Sequence, residues 1–169
     1  MPCIVLRTSR FFLELDDNPA VRGQFEDLNI KANELLFRRA DIEDIVEAHF
    51  LAIEKASSIG YDRYIISATP PFSTADLVRL NQDAPSVIAN KFPRFREIYQ
   101  SYNWRMFPTI PRVYVNEKAR KELGWLPKYD FQHVLDCLST GKDFRSPLAL
   151  SIGIKGYHDQ EFKEGPYPV

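Results

Sequence analysis

The sequence predicts a mixed α/β chain, rich in helix and poor in strand. Three observations carry that reading. Cys3–Leu6 is a short, unbroken apolar run, the pattern of a strand buried on both faces of a parallel sheet. From Asp41 to Lys55, residues Ile42, Ile45, Val46, His49 and Ile53 recur at helical spacing, which predicts an amphipathic helix. Tyr64–Ala68 is a second β-rich run, set off by Gly60 and Asp62, and reads as a second strand.

The remaining elements follow in order. Glu14–Asn33 is polar, with a turn cluster at Asp16-Asp17-Asn18-Pro19, and is expected to be a surface excursion. Asp41 can accept a hydrogen bond from the first turn of its helix, where Glu43 and Asp44 meet the positive end of the dipole. After Thr69-Pro70-Pro71, Ser73 and Asp76 form a capping-box pair that starts a helix through about Leu80. Between Ala84 and Tyr102 the residues Phe92, Phe95, Ile98, Tyr99 and Tyr102 fall at helical intervals, and Pro108 and Pro111 then force extended chain. Val113–Val115 reads as a short strand. Asn116 is placed to cap a helix ended by Gly124, and Asp130 to cap another through Leu138. The tail after Gly141 carries Gly156, Gly165, Pro166 and Pro168 with no periodicity, and is expected to order against a partner surface.

Composition narrows the function. The chain has 169 residues, 44% hydrophobic and 27% charged, enough for one domain with a sizeable core. Its formal net charge of -1 gives no global positive field to hold a nucleic acid. Cys3 and Cys137 are far apart and form no C-x-x-C pair, which fits a reducing compartment and neither a disulfide framework nor a zinc site. The apolar run before Arg7 is too short for a secretory segment or a membrane span, so the chain is expected to be cytoplasmic.

Four segments, taken together, resemble the carboxy-terminal half of the extended short-chain dehydrogenase/reductase family, the NAD(P)-dependent epimerases and dehydratases of nucleotide sugars. They are Val5-Leu6-Arg7; Arg39-Ala40-Asp41-Ile42-Glu43-Asp44-Ile45-Val46-Glu47-Ala48-His49; Tyr64-Ile65-Ile66-Ser67 with Phe72-Ser73-Thr74-Ala75-Asp76-Leu77; and, most specific, the run from Arg112-Val113-Tyr114 to Leu123-Gly124-Trp125-Leu126-Pro127-Lys128-Tyr129-Asp130-Phe131. The last fits R-x-Y-x-x-x-K-A-x-x-x-L-G-W-x-P-x-Y-x-F. The resemblance implies a Rossmann-type α/β fold of which residues 1–140 form the substrate-binding half, with 141–169 as a tail. It also implies a nucleotide-sugar ligand, with Arg112 and, less closely placed, Arg105 at the diphosphate and Tyr114 beside them. A guanidinium suits that role because its fork of donors meets phosphate oxygens bidentately. There are departures: Thr8-Ser9-Arg10-Phe11-Phe12 stands where the family shows Asn-x-Tyr-Gly-Pro, and Asp41 stands where His is common.

The family's cofactor turn and catalytic Tyr-x-x-x-Lys belong to its amino-terminal half. The seven glycines here never supply a Gly-rich phosphate turn. NAD or NADP is therefore expected to belong to a complete relative and not to be held by this chain alone. Tyr114 and Lys118 satisfy Y-x-x-x-K literally, but Tyr114 precedes the expected cap Asn116, so no catalytic residue is assigned. His133 and Cys137 sit one helical turn apart, two ligands short of a metal site, and are read with His49 as packing residues. The aromatic and arginine-rich stretch Lys91–Phe107 is read mainly as core and not as a stacking platform for bases. The expected function is the nucleotide-sugar-binding part of an epimerase/dehydratase-like oxidoreductase, inactive alone. The other reading is a non-catalytic binding or assembly protein that complements a separate cofactor-binding half. The expected partners are thus that half or a second copy, with neither nucleic acid nor membrane.

Overall fold

The computed structural model describes residues 1–16 and 18–153. Among them β1 (Cys3–Thr8) is followed by α1 (Pro19–Arg22), α2 (Asp27–Glu34) and α3 (Ile42–Ile59), and then by β2 (Tyr61–Ile66). A 3-10 turn at Thr74–Asp76 leads into α4 (Leu77–Leu80), α5 (Ala84–Lys91), α6 (Phe95–Ser101), α7 (Glu117–Leu123), α8 (Phe131–Ser139) and α9 (Pro147–Ile152). The two strands pair in parallel, from Cys3 opposite Tyr61 to Thr8 opposite Ile66. The chain is thus mixed α/β and helix-rich, with a two-stranded parallel sheet.

Most helix ends follow local chemistry. The Asp41 carboxylate accepts the Glu43 N–H at 2.8 Å, and Asp130 accepts the His133 N–H at 3.0 Å, each satisfying a first-turn donor. Ser73 and Asp76 form the expected reciprocal capping box. Gly124 ends α7 in the left-handed conformation, at φ 67°. Asn116 departs from expectation: it stands at the start of α7 but makes no side-chain cap.

Four further expectations are corrected. β1 is not buried on both faces: Cys3, Val5 and Arg7, with Tyr61, Arg63 and Ile65 of β2, all point to solvent, because α3 and α7 cover one side of the sheet. Asn29 through Glu34 of α2 are buried, so the supposed surface excursion ends in an interior helix. Its polar groups are buried with partners: Glu34 faces three arginines, and Asn33 accepts from Tyr99 and donates to the Arg105 carbonyl. Val113–Val115 is extended chain and not a strand; the Tyr114 N–H donates to the Phe37 carbonyl at 2.8 Å. On α3 the buried apolar residues are Ile45, Ala48 and Ala52, while Val46, His49 and Ile53 face outward.

Two apolar clusters result. One gathers Leu36, Ile88, Phe95, Tyr99, Trp104 and Phe131 from the helices and the extended segment between α6 and α7. The other lies under the sheet and contains Ile45, Tyr64, Ile66, Leu123 and Trp125. Residues 141–153, expected to open a tail, fold onto the chain itself: Phe144 is buried in the first cluster, and the Ser146 N–H donates to Asp41 at 3.0 Å. Residues 154–169, where contact with a partner surface is expected, lie outside the described residues. No helix among the described residues is long and apolar enough to cross a membrane.

Candidate functional site

In a parallel sheet, the carboxyl ends of the strands are where loops can diverge and leave room for a ligand. Here β2 runs into Ser67-Ala68-Thr69-Pro70-Pro71-Phe72, and two prolines hold that exit extended. Asn116, only 2% exposed, reaches across to it. Its amide nitrogen donates to the Ser67 carbonyl at 2.9 Å and to Thr69 Oγ1 at 3.1 Å. That bridge ties the start of α7 to the end of β2.

Between these two segments opens a cleft of about 480 Å³. Thr69 and Asn116 lie at its polar base, Val115 and Leu126 give it apolar walls, and Arg120 and Lys121 bring cationic groups to it. Glu117 also lines it, so the formal charge of the lining is +1. An apolar wall beside a cationic rim can accept a planar ring carrying an anionic group.

None of the three residues expected at a diphosphate, Arg105, Arg112 and Tyr114, lines this cleft. Arg105 is committed to the fold. Its guanidinium donates to the Gln24 carbonyl and lies 5.3 Å from the centre of the Phe25 ring. Its backbone is clamped by Asn29 and Asn33 of α2, at 3.0 and 2.9 Å. Arg112 is exposed and Tyr114 half-buried on the extended segment that leads to Val115 and the cleft. Arg120, Lys121 and Asn116 were missed as candidates. Arg120 and Lys121 occupy variable positions of the Lys118–Leu123 motif, and only the distant exit from β2 places them at a cleft.

Several other chemical groups have structural roles. Lys118 pairs with Asp62 and lies 5.0 Å from the Tyr64 ring centre, and α7 begins after Tyr114, so Tyr114 and Lys118 share no helix. His133 Nε2 lies 3.5 Å from Cys137 Sγ and 3.1 Å from the Phe144 carbonyl. No group of three or more metal-binding side chains forms among the described residues. Phe95, Tyr99 and Trp104 are buried edge-to-face, so they present no stacking surface. Neither the turn after β1 nor that after β2 contains a glycine, so neither has the glycine turn that lets a backbone approach a pyrophosphate.

The motif that carries the family resemblance is itself built into the core. Ala119, Leu123 and Trp125 are buried under the sheet. The Trp125 indole N–H donates to the Asp44 carbonyl at 2.9 Å, and the Asp44 carboxylate accepts the N–H groups of Lys128 and Tyr129 at 2.9 and 3.1 Å. Burial pushes the Asp44 carboxyl up to about 6, against the pull of those two donors. These residues define an α/β chain with, among the described residues, a two-stranded parallel sheet and a cleft at its carboxyl end. Beyond that class, no protein-family model matches the chain, and comparison with curated proteins and with solved structures gives no match.

Proposed function

We propose that this chain is the nucleotide-sugar-binding part of an NAD(P)-dependent epimerase/dehydratase-like oxidoreductase and acts only with a cofactor-binding half. One juxtaposition carries the reading. A parallel sheet that stops at two strands opens, at its carboxyl end, on a cleft bordered by Arg120 and Lys121. Isolated two-stranded parallel sheets are rare, because such strands are normally covered on both faces. The exposed face at Val5, Arg7, Arg63 and Ile65 therefore favours a role within a larger α/β body, and with it the resemblance to that family.

In this reading the nucleoside ring rests on Val115 and Leu126, and the diphosphate meets Lys121, Arg120 and the exposed Arg112. Arg105 is left out of the contact set, since its guanidinium already binds Gln24 and Phe25. The nicotinamide cofactor supplies the hydride chemistry and belongs to the other half. The same incomplete sheet favours the second reading, in which the chain is a non-catalytic assembly protein completing a separate cofactor-binding half.

Isothermal calorimetry of the chain with uridine and thymidine diphosphate sugars tests the first reading. Binding is expected, and Arg112→Ala should weaken it by about 1.5–3 kcal/mol, the worth of a charged hydrogen bond. Absence of heat with every nucleotide-sugar rejects the substrate class. Unchanged affinity in the variant rejects Arg112 as the diphosphate ligand.

A further inference from the structure

The base of the cleft holds a hydrogen-bond acceptor with no donor. Asn116 turns its amide nitrogen to the Ser67 carbonyl and to Thr69 Oγ1. A carbonyl only accepts, so the group facing Ser67 is the nitrogen, and the orientation of the amide follows. Oδ1 then stands on the other side of the same carbon. It caps no N–H of α7, and no hydrogen bond reaches it among the described residues. The buried side-chain atoms without a partner among those residues are Ser9 Oγ, Glu14 Oε2 and Asn29 Nδ2. Asn116 Oδ1 is not one of them, so it keeps access to solvent although its residue is only 2% exposed. The space that Asn116 lines is the cleft.

Thr69 supplies the complementary group. Its Oγ1 accepts from Asn116 at 3.1 Å, and its hydroxyl hydrogen has no acceptor among the described residues. A hydroxyl both accepts and donates, so Thr69 has one bond left to give. An oriented acceptor and a free donor thus stand side by side, with Val115 and Leu126 as apolar walls and the exposed Arg120 and Lys121 as cations. That order suits a flat ring with an N–H beside a carbonyl at one end and an anionic group at the other. A pyranose suits it less well, because its hydroxyls surround the ring and would be set against Val115 and Leu126.

We infer that Asn116 and Thr69 read the imide edge of a pyrimidine base. Asn116 Oδ1 accepts the ring N3–H of uracil or thymine, and the Thr69 hydroxyl donates to the neighbouring carbonyl. In this edge the N–H lies between two carbonyls, so the ring meets the pair with either carbonyl toward Thr69. The inference deepens the proposed nucleotide-sugar reading and rests on it.

Calorimetry of the full chain with uridine diphosphate, thymidine diphosphate and the N3-methyl form of each tests it, and the separate titrations tell the two bases apart. Methylation removes the ring N–H and leaves Oδ1 unpaired, so the methylated forms should bind at least about tenfold more weakly. Asn116→Ala should remove that difference, whereas an Asn116 that only ties β2 to α7 would lower both affinities and preserve their ratio. In the wild type, the Asn116 side-chain amide resonances should shift when uridine diphosphate is added. Equal binding of methylated and unmethylated nucleotides, or unmoved Asn116 resonances, overturns the inference.

The same titrations with nucleotide-sugars separate this inference from the reading beneath it. Nucleotide-sugars that bind without regard to N3 methylation overturn base recognition and leave the proposed function standing. N3-selective binding of the free diphosphates, with no heat from any nucleotide-sugar, rejects the substrate class and leaves base recognition standing. No heat from any nucleotide overturns both.

Discussion

The helical cluster and the sheet layer of this chain solve the burial problem differently. Around Phe95, Tyr99, Trp104 and Phe131 the aromatic rings meet edge to face from several sides, with centroids 5.6 to 6.1 Å apart, and polar tips find partners, as when Trp104 donates to Glu26 at 2.9 Å. That cluster is closed by the chain's own helices. The sheet layer is closed on one side only: Tyr64, Ile66 and Trp125 are buried, while Val5 and Ile65 on the reverse face remain exposed. Among the described residues the helices cover one another on several sides, whereas the sheet is covered on one face.

The seam between the two regions is ionic, and breaking it should give the largest effect. Glu34, fully buried at the end of α2, accepts from Arg39 Nε at 2.8 Å, Arg38 Nη2 at 2.8 Å and Arg10 Nη1 at 2.9 Å. Arg39 is nearly buried, and Arg10 lies just past the carboxyl end of β1. Removing one partner of such a cluster leaves uncompensated buried charge. Glu34→Ala should therefore cost about 3–5 kcal/mol in chemical denaturation. A loss confined to one of two resolved transitions would mean that the helical cluster and the sheet layer unfold separately; a single shifted transition would mean that the seam couples them.

The next effect in size concerns the sheet layer alone. Asp44 is protonated more readily in the folded chain, at about 6 against an ordinary 3.8, because burial disfavours its charge. The folded state thus binds more protons between those two values, and stability falls as pH rises through that window. The cost is complete above pH 6 and absent below pH 3.8. It amounts to about 3 kcal/mol at ~1.36 kcal/mol per unit. Asp44→Asn cannot titrate, so on going from neutral pH to below 3.8 the wild type should gain stability relative to the variant by that order. A pH-independent difference between the two melting curves would show that the Asp44 carboxylate is as well solvated folded as unfolded.

Much of the fold was legible because its signals are local. The Asp41, Ser73 and Asp130 starts and the Gly124 stop each depend on a few adjacent residues, and each is realised. Reading α2 as surface failed because its polar residues find partners far along the chain, as Asn33 does with Tyr99, 66 positions away. The face of α3 was misjudged for a related reason. Its stripe at Val46, His49 and Ile53 is as apolar by spacing as the buried one at Ile45, Ala48 and Ala52, and only the placement of α7 and β1 decides which faces inward. The cleft was less legible still. Asn116 reads as a cap from its neighbours, and its bond to Ser67, 49 positions earlier, has no sequence signal.

The smallest effect separates the family-like motif as a folding device from its use in binding. Gly124 sits at φ 67°, and a β-carbon there would meet only Lys55 Nζ at 3.8 Å, an ordinary contact. Gly124→Ala therefore costs backbone strain without a clash, about 1–2 kcal/mol. Gly124→Asn should cost less, since a short polar side chain tolerates the left-handed region. Because Gly124 lies between Leu123 and Trp125, both buried under the sheet, the loss should appear in the thermal melt, and the folded variant should give the same result as the wild type in the nucleotide-sugar calorimetry that tests the proposed function. If Gly124→Ala instead weakened ligand binding with no change in the melt, the turn after α7 would belong to the cleft, and the sheet layer would be less separate from the site than its packing implies.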